Sequence, residues 1–573
     1  MSALDSVDVH QQLIQALIAD LARRYPGESP RLVQTHISSV VLVGTEAYKL
    51  KRPVCYPFVD FSTLEKRRYF CEEELRINRR TAPDLYLEVI PITGTLEAPR
   101  IGASQGVCAT PRIGASQGAC ATHAHTASVP AGALHEAVVA DGSVLEWALH
   151  MRRFPDDGLL STQARQGRLD VRQIDNLAAH LADFHQGLPA LLPSELAHFA
   201  SMSARVADNL AEVAPMLIAQ QLDLPNFEHC SAAIRRWAST CDAAMPARQR
   251  DGFFREGHGD LHLANLVAID GQVIAFDAIE FDPALRCIDV INDLAFAYMD
   301  LLAFRQPALA WRLVSGYLER TGDYAGLTLL DGYAANRALV RGKVALLSGA
   351  PTSEVQRYFE LAGRLLEPGP PPVLVLVSGV SGSGKSTFAN LLAPRLSAVR
   401  VRADVERKRL FKQGKLPLGE GLYSPAATQH TYARLAQIAD EGLRAGVSLV
   451  IDATFLETAY FERFTDLARQ RGLRLEIFEC TATAAAMRDR LIARANLGDD
   501  PSDATPEVLA SQLARKETSG TLPANLKVHD VRNTGTLAEL DALALEIARS
   551  ILNESLIGRD CDILMHTISA RKP

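Results

Sequence analysis

The segment that most constrains how this chain can fold is a glycine-rich stretch between an apolar run and a helix-forming run. Residues 379–387 read Gly-Val-Ser-Gly-Ser-Gly-Lys-Ser-Thr and fit the pattern G-x-x-x-x-G-K-[ST] in full. The run Val-Leu-Val-Leu-Val at 373–377 predicts a buried parallel strand, and the residues that follow Thr387 predict the start of an amphipathic helix. Strand, glycine loop and helix in this order predict an α/β fold built on a parallel sheet.

The same loop predicts a site for a nucleoside triphosphate. Glycines let successive backbone N–H groups curve around a polyphosphate, and the N-terminus of the following helix adds a favourable dipole. We expect Lys385 to reach the β- and γ-phosphates of ATP, and the hydroxyl of Ser386 to bind Mg²⁺. The residues expected to contact the nucleotide are Gly379, Ser381, Gly382, Ser383, Gly384, Lys385, Ser386 and Thr387.

Chain length and a proline-rich segment predict two domains. At 573 residues the chain exceeds one ordinary hydrophobic core. Residues 367–372 read Glu-Pro-Gly-Pro-Pro-Pro, which cannot continue a helix or a central strand. We therefore expect a first domain over 1–366, a linker over 367–372, a P-loop domain over 373–555 and a tail over 556–573.

A tandem repeat interrupts the first of these domains. Residues 99–110 and 111–122 are identical except for Val107 in the first copy and Ala119 in the second. Two copies of a short unit rich in small residues are too few to build a solenoid. They predict a flexible surface insertion over 97–131, to which the sequence assigns no function.

Composition and charge limit the partners of the chain. The net charge is −7, which does not favour nonspecific binding to nucleic acid, although it leaves such binding open. The nine cysteines are scattered without a C-x-x-C pair, which favours free thiols in a reducing compartment. The N-terminus lacks the pattern of a secretory signal, and no apolar run approaches the ~18 residues of a membrane span. We therefore expect a cytoplasmic protein without a membrane partner.

A second group of residues has the spacing of a kinase catalytic loop. Asp260, in the sequence His-Gly-Asp, is followed five residues later by Asn265, and a short apolar strand ends at Asp277. In a kinase, the first of these residues accepts the proton of the attacking hydroxyl, and the other two hold metal ions. The order and spacing of the three residues are more specific than any one of them alone.

Upstream of this loop, two strand lysines and a helix glutamate fit the same chemistry. Lys49 and Lys51 share one face of a predicted strand, and Glu74 lies on the helix predicted after it. A strand lysine paired with a helix glutamate would orient the α- and β-phosphates of ATP. Only Gly44 precedes these lysines, where a G-x-G-x-x-G loop is usual. Both lysines stay candidates for the phosphate contact, with a slight preference for Lys51.

Four residues after the glycine loop are candidates for chemistry on an acceptor. Asp404 is expected to accept the acceptor proton, and Arg407 to hold a polar or anionic acceptor. Asp452 ends an apolar strand and is a candidate for contact with Mg²⁺ through water or for orienting the acceptor. Arg494, on a helix before a polar loop, would stabilise charge on the transferring phosphoryl group. Helix capping, turn formation and exposed surface positions are competing interpretations for these four.

The catalytic-loop residues resemble a known family. Residues from about 30 to 350 look like the aminoglycoside phosphotransferase-like branch of the protein-kinase-like fold, whose hallmark is His-Gly-Asp-x-x-x-x-Asn. The resemblance implies Asp260 as catalytic base, and Asn265 and Asp277 as Mg²⁺ ligands. It also implies that Asp289, which follows this loop, fixes the fold.

The C-terminal part resembles a different family, the small AAA-type P-loop kinases that include gluconate kinase, chloramphenicol phosphotransferase, zeta toxin and polynucleotide kinase. The spacing of Asp404 and Arg407 is close to the polynucleotide kinase pattern. The whole chain is similar to the bacterial family of bifunctional aminoglycoside phosphotransferase/ATP-binding proteins. This resemblance implies a two-domain chain of α/β and α+β class: a protein-kinase-like fold comes first, and a P-loop fold with a parallel sheet follows.

The sequence favours an ATP-dependent phosphotransferase that moves the γ-phosphoryl group to a hydroxyl of a small molecule, with a second kinase-like site. One alternative is an ATP-binding regulatory switch with an inactive kinase-like domain, which the unusual loop before Lys49 supports. Another is a polynucleotide 5′-kinase, which the seven basic residues from Arg400 to Lys415 support. A salt-sensitive affinity for single strands would distinguish this last alternative. The sequence names neither the acceptor nor an oligomeric state.

Overall fold

The computed structural model describes residues 6–56, 59–102, 144–224, 226–414, 422–497, 502, 504–518 and 526–556. The chain divides into two compact units. Unit 1 comprises residues 1–169, 184–201 and 242–293, and unit 2 comprises residues 170–183, 202–241 and 294–573. Most of the predicted insertion, from 103 to 131, and nearly all of the predicted tail lie outside the described residues. The domain boundaries given above stay a prediction.

Within the described ranges, the strands are β1 (Arg31–Gln34), β2 (Ser38–Val43), β3 (Glu46–Lys51), β4 (Cys55–Tyr56), β5 (Val59–Asp60), β6 (Tyr86–Gly94), β7 (Pro99–Ile101), β8 (Glu146–Arg152), β9 (Phe254–Glu256), β10 (Leu266–Ile269), β11 (Gln272–Ala275), β12 (Cys287–Asp289), β13 (Val373–Ser378), β14 (Ala398–Arg402), β15 (Ser448–Asp452), β16 (Arg474–Thr481) and β17 (Val528–Arg532).

Over the same ranges, the helices are α1 (Val7–Arg24), α2 (Leu64–Asn78), α3 (Leu160–Arg165), α4 (Val171–Gly187), α5 (Pro193–Leu196), α6 (Met202–Ala219), α7 (Phe227–Arg250), α8 (Pro283–Arg286), α9 (Val290–Ala303), α10 (Pro307–Thr321), α11 (Leu327–Leu347), α12 (Thr352–Leu366), α13 (Lys385–Arg395), α14 (Ala403–Lys412), α15 (Pro425–Arg444), α16 (Thr458–Arg471), α17 (Ala484–Leu497), α18 (Pro506–Thr518) and α19 (Leu537–Leu556). No helix in the described part of the chain is both long and apolar enough to cross a membrane.

Unit 1 is built on an antiparallel sheet with the strand order β1-β2-β3-β8-β6-β7. The buried faces of β2, β3, β6 and β8 pack against the apolar face of α1. A tight turn at Gly44, which has a left-handed φ of 51°, joins β2 to β3. Only two residues separate the strands, so this turn is shorter than the glycine-rich loop that is usual in kinases.

Two short antiparallel pairs in unit 1 carry the predicted catalytic loop. Strand β9 pairs with β12, and β10 pairs with β11. The β10–β11 hairpin turns at Asp270 and Gly271, both with left-handed φ, which matches the twist of a two-residue hairpin. Asp260 and Asn265 lie between β9 and β10, and Asp277 follows β11.

Unit 2 contains a five-stranded parallel sheet with the order β14-β15-β13-β16-β17. Every residue of the central strand β13 is buried, as its uninterrupted apolar sequence predicts. Helices α13 and α19 cover one face of the sheet, where Phe388, Leu392 and Ala544 pack against β13. The predicted fold class is confirmed: a kinase-like antiparallel sheet and catalytic loop come first, and a P-loop fold with a parallel sheet follows.

Helix α10, which precedes the proline-rich segment in the chain, packs within unit 2 on β14 and α13 of the parallel sheet. The backbone N–H of Arg400 donates a hydrogen bond to Ser315 Oγ on this helix at 3.0 Å. Glu319, one turn further along α10, forms an ion pair with the Arg400 side chain at 2.8 Å. The P-loop sheet is therefore bordered by a helix that the sequence assigns to the preceding domain.

Candidate functional site

The glycine loop of unit 2 has a backbone that only glycine adopts without strain. Gly382 and Gly384 have left-handed φ values of 81° and 89°. A Cβ at Gly382 would lie 2.5 Å from the carbonyl oxygen of Met487, and a Cβ at Gly384 would overlap the amide of Asn533. The loop therefore depends on close approach of its backbone to α17 and to the end of β17.

Two side chains brace this loop from outside. Arg490 Nη1 donates to the carbonyl oxygen of Gly382 at 3.2 Å, and Asn533 Nδ2 donates to that of Ser383 at 3.0 Å. Arg490 Nη2 also donates to the Asn533 carbonyl at 2.9 Å. Within the described residues, the buried Ser383 hydroxyl has no hydrogen-bond partner, which leaves it available to a bound phosphate.

A cavity of about 310 Å³ opens at the carboxyl ends of the parallel strands, beside the loop. Five residues singled out from the sequence line it: Ser381, Lys385, Asp404, Arg407 and Asp452. Parallel strands end at one edge of a sheet, so Asp404, just after β14, and Asp452, at the end of β15, face the same space as the first residue of α13. The structure thus brings these predicted donor and acceptor residues together. Whether they act on a substrate stays a prediction.

Asp452 has the properties of a cation-facing carboxylate. It is 3% exposed, and neither of its oxygens has a hydrogen-bond partner among the residues that the structure describes. Its Oδ2 lies 3.8 Å from Arg402 Nε, which is ion-pair distance without a hydrogen bond. A buried carboxylate that lacks hydrogen bonds favours a bound cation or ordered water. With the half-buried Ser386 hydroxyl in the first turn of α13, it supplies the oxygen ligands that Mg²⁺ prefers. No group of three or more His, Cys, Asp or Glu side chains in the described ranges could hold a metal alone, and Mg²⁺ at phosphates needs no such group.

Arg407 points its guanidinium toward the same cavity from α14. Its Nη1 donates to Thr428 Oγ1 at 3.1 Å and to the carbonyl oxygen of Leu422 at 3.3 Å, and it stacks on Tyr423 at 5.2 Å. The side chain is 7% exposed, and its Nε has no hydrogen-bond partner in the part of the chain that is described. This leaves a buried positive donor for a polar or anionic acceptor.

The two arginines of α17 have different surroundings. Arg490 lies at the loop backbone, as described above, whereas Arg494 Nη2 donates to the carbonyl oxygen of Ala504 at 3.1 Å. The described arginines that line the cavity are Arg407 and Arg515, and Arg515 forms an ion pair with Glu457 at 2.6 Å. The role given to Arg494 from the sequence stays a prediction, and its position links α17 to the segment before α18.

Aromatic side chains that sequence reasoning did not identify form one wall of the cavity. Tyr432 and Tyr460 are stacked, with ring centroids 3.8 Å apart, and Tyr423 lies beside Arg407. Burial raises the pKa of Tyr432 to about 12, and its oxygen accepts a hydrogen bond from the Phe455 N–H. An apolar wall next to charged groups is the usual lining of a small-molecule site.

Helix α18 contacts the glycine loop directly through a residue that the sequence did not indicate. Gln512 Oε1 accepts a hydrogen bond from the backbone N–H of Ser381 at 2.7 Å. Leu509 and Leu513 of the same helix pack against Val380. Helix α18 therefore lines the cavity, and a side chain at its middle attaches it to the loop.

We expect Gln512→Met to lower phosphoryl transfer roughly tenfold and to raise the share of ATP that is hydrolysed without transfer. Methionine keeps the shape of glutamine but cannot accept the Ser381 N–H, so α18 would no longer hold water out of the cavity. The measurement compares phosphorylated product with total ADP. Gln437→Met, which changes an exposed glutamine of α15 bonded to Glu441, serves as the control and should leave this ratio unchanged. An unchanged ratio in Gln512→Met would contradict the covering role.

The kinase-like site of unit 1 contains a buried network of two lysines and three carboxylates. Lys49 Nζ lies 2.8 Å from Glu74 Oε1 and 2.5 Å from Asp277 Oδ1. Lys51 Nζ lies 2.5 Å from Glu74 Oε2 and also contacts Glu280, which sequence reasoning missed. Helix α2 thus presents one glutamate to both strand lysines.

The charges in this network shift the pKa of each partner. Burial alone would lower the pKa of Lys49, but the charges of Asp277 and Glu74 raise it well above its ordinary value. Burial also acts to lower the pKa of Lys51, but the charges of Glu280 and Glu74 raise this pKa to about 12. Partial desolvation favours the neutral form of Asp277, but the charge and hydrogen bond of Lys49 outweigh it and lower the pKa of this carboxyl. Both lysines stay charged near neutral pH.

The positions of the two lysines differ in depth. Lys51 is 1% exposed, pairs with Glu74 and Glu280 and lies over the Phe61 ring. Lys49 is closer to solvent and contacts Asp277. Asp277 has a left-handed φ of 61° and a side chain that is 41% exposed. The geometry therefore favours Lys49 over Lys51 for contact with a metal-bound phosphate.

The predicted base and metal ligand of the catalytic loop are in contact. Asn265 Nδ2 donates to the backbone oxygen and to Oδ2 of Asp260, both at 3.0 Å. His262 Nε2 lies 3.4 Å from the same carboxylate oxygen. These bonds orient the Asp260 carboxylate and leave the amide oxygen of Asn265 for a metal. Oxygen ligands from Asn265 and Asp277 fit Mg²⁺.

A buried aspartate anchors the start of this loop. Asp293 accepts hydrogen bonds from the backbone N–H groups of His258 at 2.7 Å and Gly259 at 2.9 Å, and its Oδ2 lies 3.1 Å from His185 Nε2. Burial acts to raise the pKa of Asp293, but the His185 hydrogen bond and nearby charge lower it to about 2. Asp289, expected to fix the fold, binds Arg248 through two hydrogen bonds of 2.6 and 2.7 Å.

We expect Asp293→Asn to destabilise unit 1 by about 2 kcal/mol at pH 7, because the lowered pKa reports that much extra stability of the charged form. This stabilisation is present above the ordinary value of 3.8 and is lost as the pH falls through about 2. The gap between wild type and variant should therefore narrow below about pH 4. Urea unfolding that is monitored by hydrogen exchange of residues 254–265 measures this difference in the free energy of unfolding. Asp84→Asn, at an exposed position, is the control, and a pH-independent gap would contradict the assignment.

Comparison with known proteins agrees with this architecture. A family model described as an AAA domain matches residues 374–518. Uncharacterized proteins of Mycobacterium tuberculosis and Mycobacterium bovis are 29% identical over an alignment of 497 residues that covers 84% of this chain and 89% of each relative.

Solved structures of several kinases are also similar to parts of the chain. A gluconokinase from Sinorhizobium meliloti is 19% identical, covering 32% of this chain and 98% of its own, with a TM-score of 0.24. A choline/ethanolamine kinase family protein from Mesorhizobium loti is 12% identical, covering 62% and 95%, with a TM-score of 0.36. A thermostable mutant of an aminoglycoside phosphotransferase is 11% identical, covering 61% and 98%, with a TM-score of 0.35. Residues 374–518 of this chain thus match the model of an AAA domain, and the antiparallel sheet of unit 1 precedes them in the same chain.

Proposed function

We propose that this chain is an ATP-dependent kinase whose P-loop site transfers the γ-phosphoryl group to a hydroxyl of a small molecule. The observation that carries the proposal is the convergence of Lys385, Asp404, Arg407 and Asp452 on one cavity beside the glycine loop. A phosphate-binding lysine, a candidate base and a buried arginine around one space are the parts that phosphoryl transfer needs.

The proposed reaction uses these residues in a single displacement. The oxygen of the acceptor hydroxyl forms a bond to the γ-phosphorus while Asp404 accepts the proton of this hydroxyl. The bond between the γ-phosphorus and the β-phosphate oxygen breaks, and ADP leaves. Lys385 balances charge on the phosphate oxygens, and Arg407 holds the acceptor. Mg²⁺, when bound, would neutralise phosphate charge, and Ser386 and Asp452 are the residues that would hold it.

The size and lining of the cavity support a small acceptor. A space of about 310 Å³ that also admits the end of ATP suits a compact polar molecule. Tyr432 and Tyr460 would pack on its carbon skeleton, while Arg407 and Glu457 offer polar contacts. This lining supports a hydroxylated metabolite or antibiotic more than a polynucleotide end.

The kinase-like site of unit 1 is proposed as a second phosphotransferase site that also uses Mg·ATP. Lys49, paired with Glu74, would contact the phosphates, and Asp260 would accept the acceptor proton. Asn265 and Asp277 would hold Mg²⁺. Because the turn between β2 and β3 is short, it would cover less of the nucleotide than the longer loop of a typical kinase.

Transfer from ATP to a pool of hydroxylated metabolites and antibiotics, read by mass spectrometry of the products, tests the proposal. For a product of the P-loop site, we expect the wild-type yield with Asp260→Asn and a yield lower by about 10²- to 10³-fold with Lys385→Met. Loss only in Asp260→Asn would assign the transfer to the kinase-like site instead. ATP binding without any product from the pool would favour the regulatory switch.

A further inference from the structure

Glu319 of α10 lies at the centre of a polar cluster behind the P-loop site. Its Oε2 lies 2.8 Å from Arg400 Nη2, and its Oε1 lies 3.5 Å from Arg402 Nη1. The carboxylate is 17% exposed, and both arginines belong to β14. One glutamate from outside the parallel sheet thus pairs with two cations on the strand that ends next to Asp404.

Each of these arginines in turn reaches one of the two residues suited to Mg²⁺. Arg400 Nη1 donates to the carbonyl oxygen of Ser386 at 3.3 Å. Arg402 Nε lies 3.8 Å from Asp452 Oδ2, a distance too long for a hydrogen bond. Glu319 is therefore connected to Ser386 through Arg400 and to Asp452 through Arg402.

The charge of Glu319 determines how Arg402 is shared. Two carboxylates, Glu319 and Asp452, attract the same guanidinium in a buried setting where such attraction is strong. If glutamine replaced Glu319, Asp452 would be the only one of these two side chains that still carries a negative charge. Arg402 would then move toward Asp452. A hydrogen-bonded Arg402 would occupy the Asp452 oxygens that a cation or its water would otherwise use.

We propose that Glu319 is a positioning residue for the metal site of the P-loop domain: it holds Arg402 back from Asp452 and, through Arg400, fixes the backbone at Ser386. Helix α10, which precedes the proline-rich segment, is then a structural part of the P-loop site. This inference rests on the proposed function, because it requires that the site bind Mg·ATP.

Other contacts support α10 as a fixed element of this site. Arg409 of α14 donates to the carbonyl oxygen of Glu319 at 2.5 Å, and Ser315 binds the Arg400 N–H. The helix therefore contacts both the strand before Asp404 and the helix that carries it. Groups that orient metal ligands in this way commonly change metal affinity 10- to 100-fold when removed.

Calorimetric titration of the full-length protein with ATP, at a series of Mg²⁺ concentrations, tests the inference. We expect Glu319→Gln to raise the Mg²⁺ concentration needed for half-maximal tightening of ATP binding by about tenfold, with ATP binding in the absence of Mg²⁺ unchanged. Glu212→Gln, which removes a carboxylate paired with Lys343 elsewhere in unit 2, should behave as wild type. A merely structural role would lower the thermal midpoint and both ATP affinities together.

A double-variant background separates the inference from the proposed function. In a protein that carries Arg400→Gln and Arg402→Gln, adding Glu319→Gln should cause no further change in the Mg²⁺ dependence. A further loss in that background, or a wild-type Mg²⁺ dependence in Glu319→Gln, would overturn the inference while leaving the proposed function intact. A wild type that binds ATP with no effect of Mg²⁺ would overturn both.

Discussion

The Lys385→Met variant is expected to lose phosphoryl transfer by about 10²- to 10³-fold and to bind Mg·ATP much more weakly. Lys385 is the first residue of α13, is 8% exposed and lines the cavity beside Asp452. A lysine that is held in this position balances the charge that grows on the phosphate oxygens as the bond between the β- and γ-phosphates breaks. Methionine keeps the side-chain length and removes only that charge.

Two measurements check this prediction: calorimetric binding of Mg·ATP and the rate of product formation in the metabolite pool. Lys527→Met changes an exposed lysine before β17 and should leave both at wild-type levels. Transfer that survives in Lys385→Met, with Mg·ATP affinity unchanged, would show that the glycine loop of unit 2 does not bind the reacting nucleotide.

The Asp404→Asn variant is expected to lower the rate of transfer by about 10²- to 10⁴-fold while ATP binding stays near wild type. Asp404 lies in the first turn of α14 and faces the cavity with Arg407 and Lys385. Asparagine keeps the size of the side chain but cannot accept the acceptor proton. The loss should therefore appear in kcat rather than in nucleotide affinity.

Steady-state kinetics with the identified acceptor, together with nucleotide titration, distinguishes this role from a structural one. Asp466→Asn, an exposed aspartate of α16 paired with Arg469, is the matched control and should leave kcat unchanged. Equal losses in ATP affinity and thermal stability for Asp404→Asn, with a normal kcat, would assign the residue a structural role instead.

Local patterns were sufficient to predict the chemistry-bearing elements. The run of β13, the glycines with left-handed φ and the lysine that opens α13 follow one another in the chain, so spacing alone identifies them. Asp404 and Asp452 were also predictable, because each follows or ends an apolar strand and parallel strands end at one edge of a sheet.

Residues that act across long chain distances gave no such signal. Gln512 binds the Ser381 N–H from a helix 131 residues away, and nothing in the local sequence of α18 distinguishes it from an exposed glutamine. Glu280 joins Lys51 across 229 residues. The depth difference between Lys49 and Lys51 is equally invisible in a strand, where both side chains have the same orientation.

The sequence by itself therefore determined the glycine loop, the loop with Asp260 and Asn265, their flanking elements and the fold class. These features depend on neighbours within a few residues of the chain. Only the tertiary structure decided which surfaces meet. It placed α18 over the glycine loop through Gln512, aligned Lys49 with Asp277, and set Glu319 of α10 behind the P-loop sheet. Such contacts depend on the packing of whole helices and sheets, whose shapes emerge only when the distant parts of the chain have folded together.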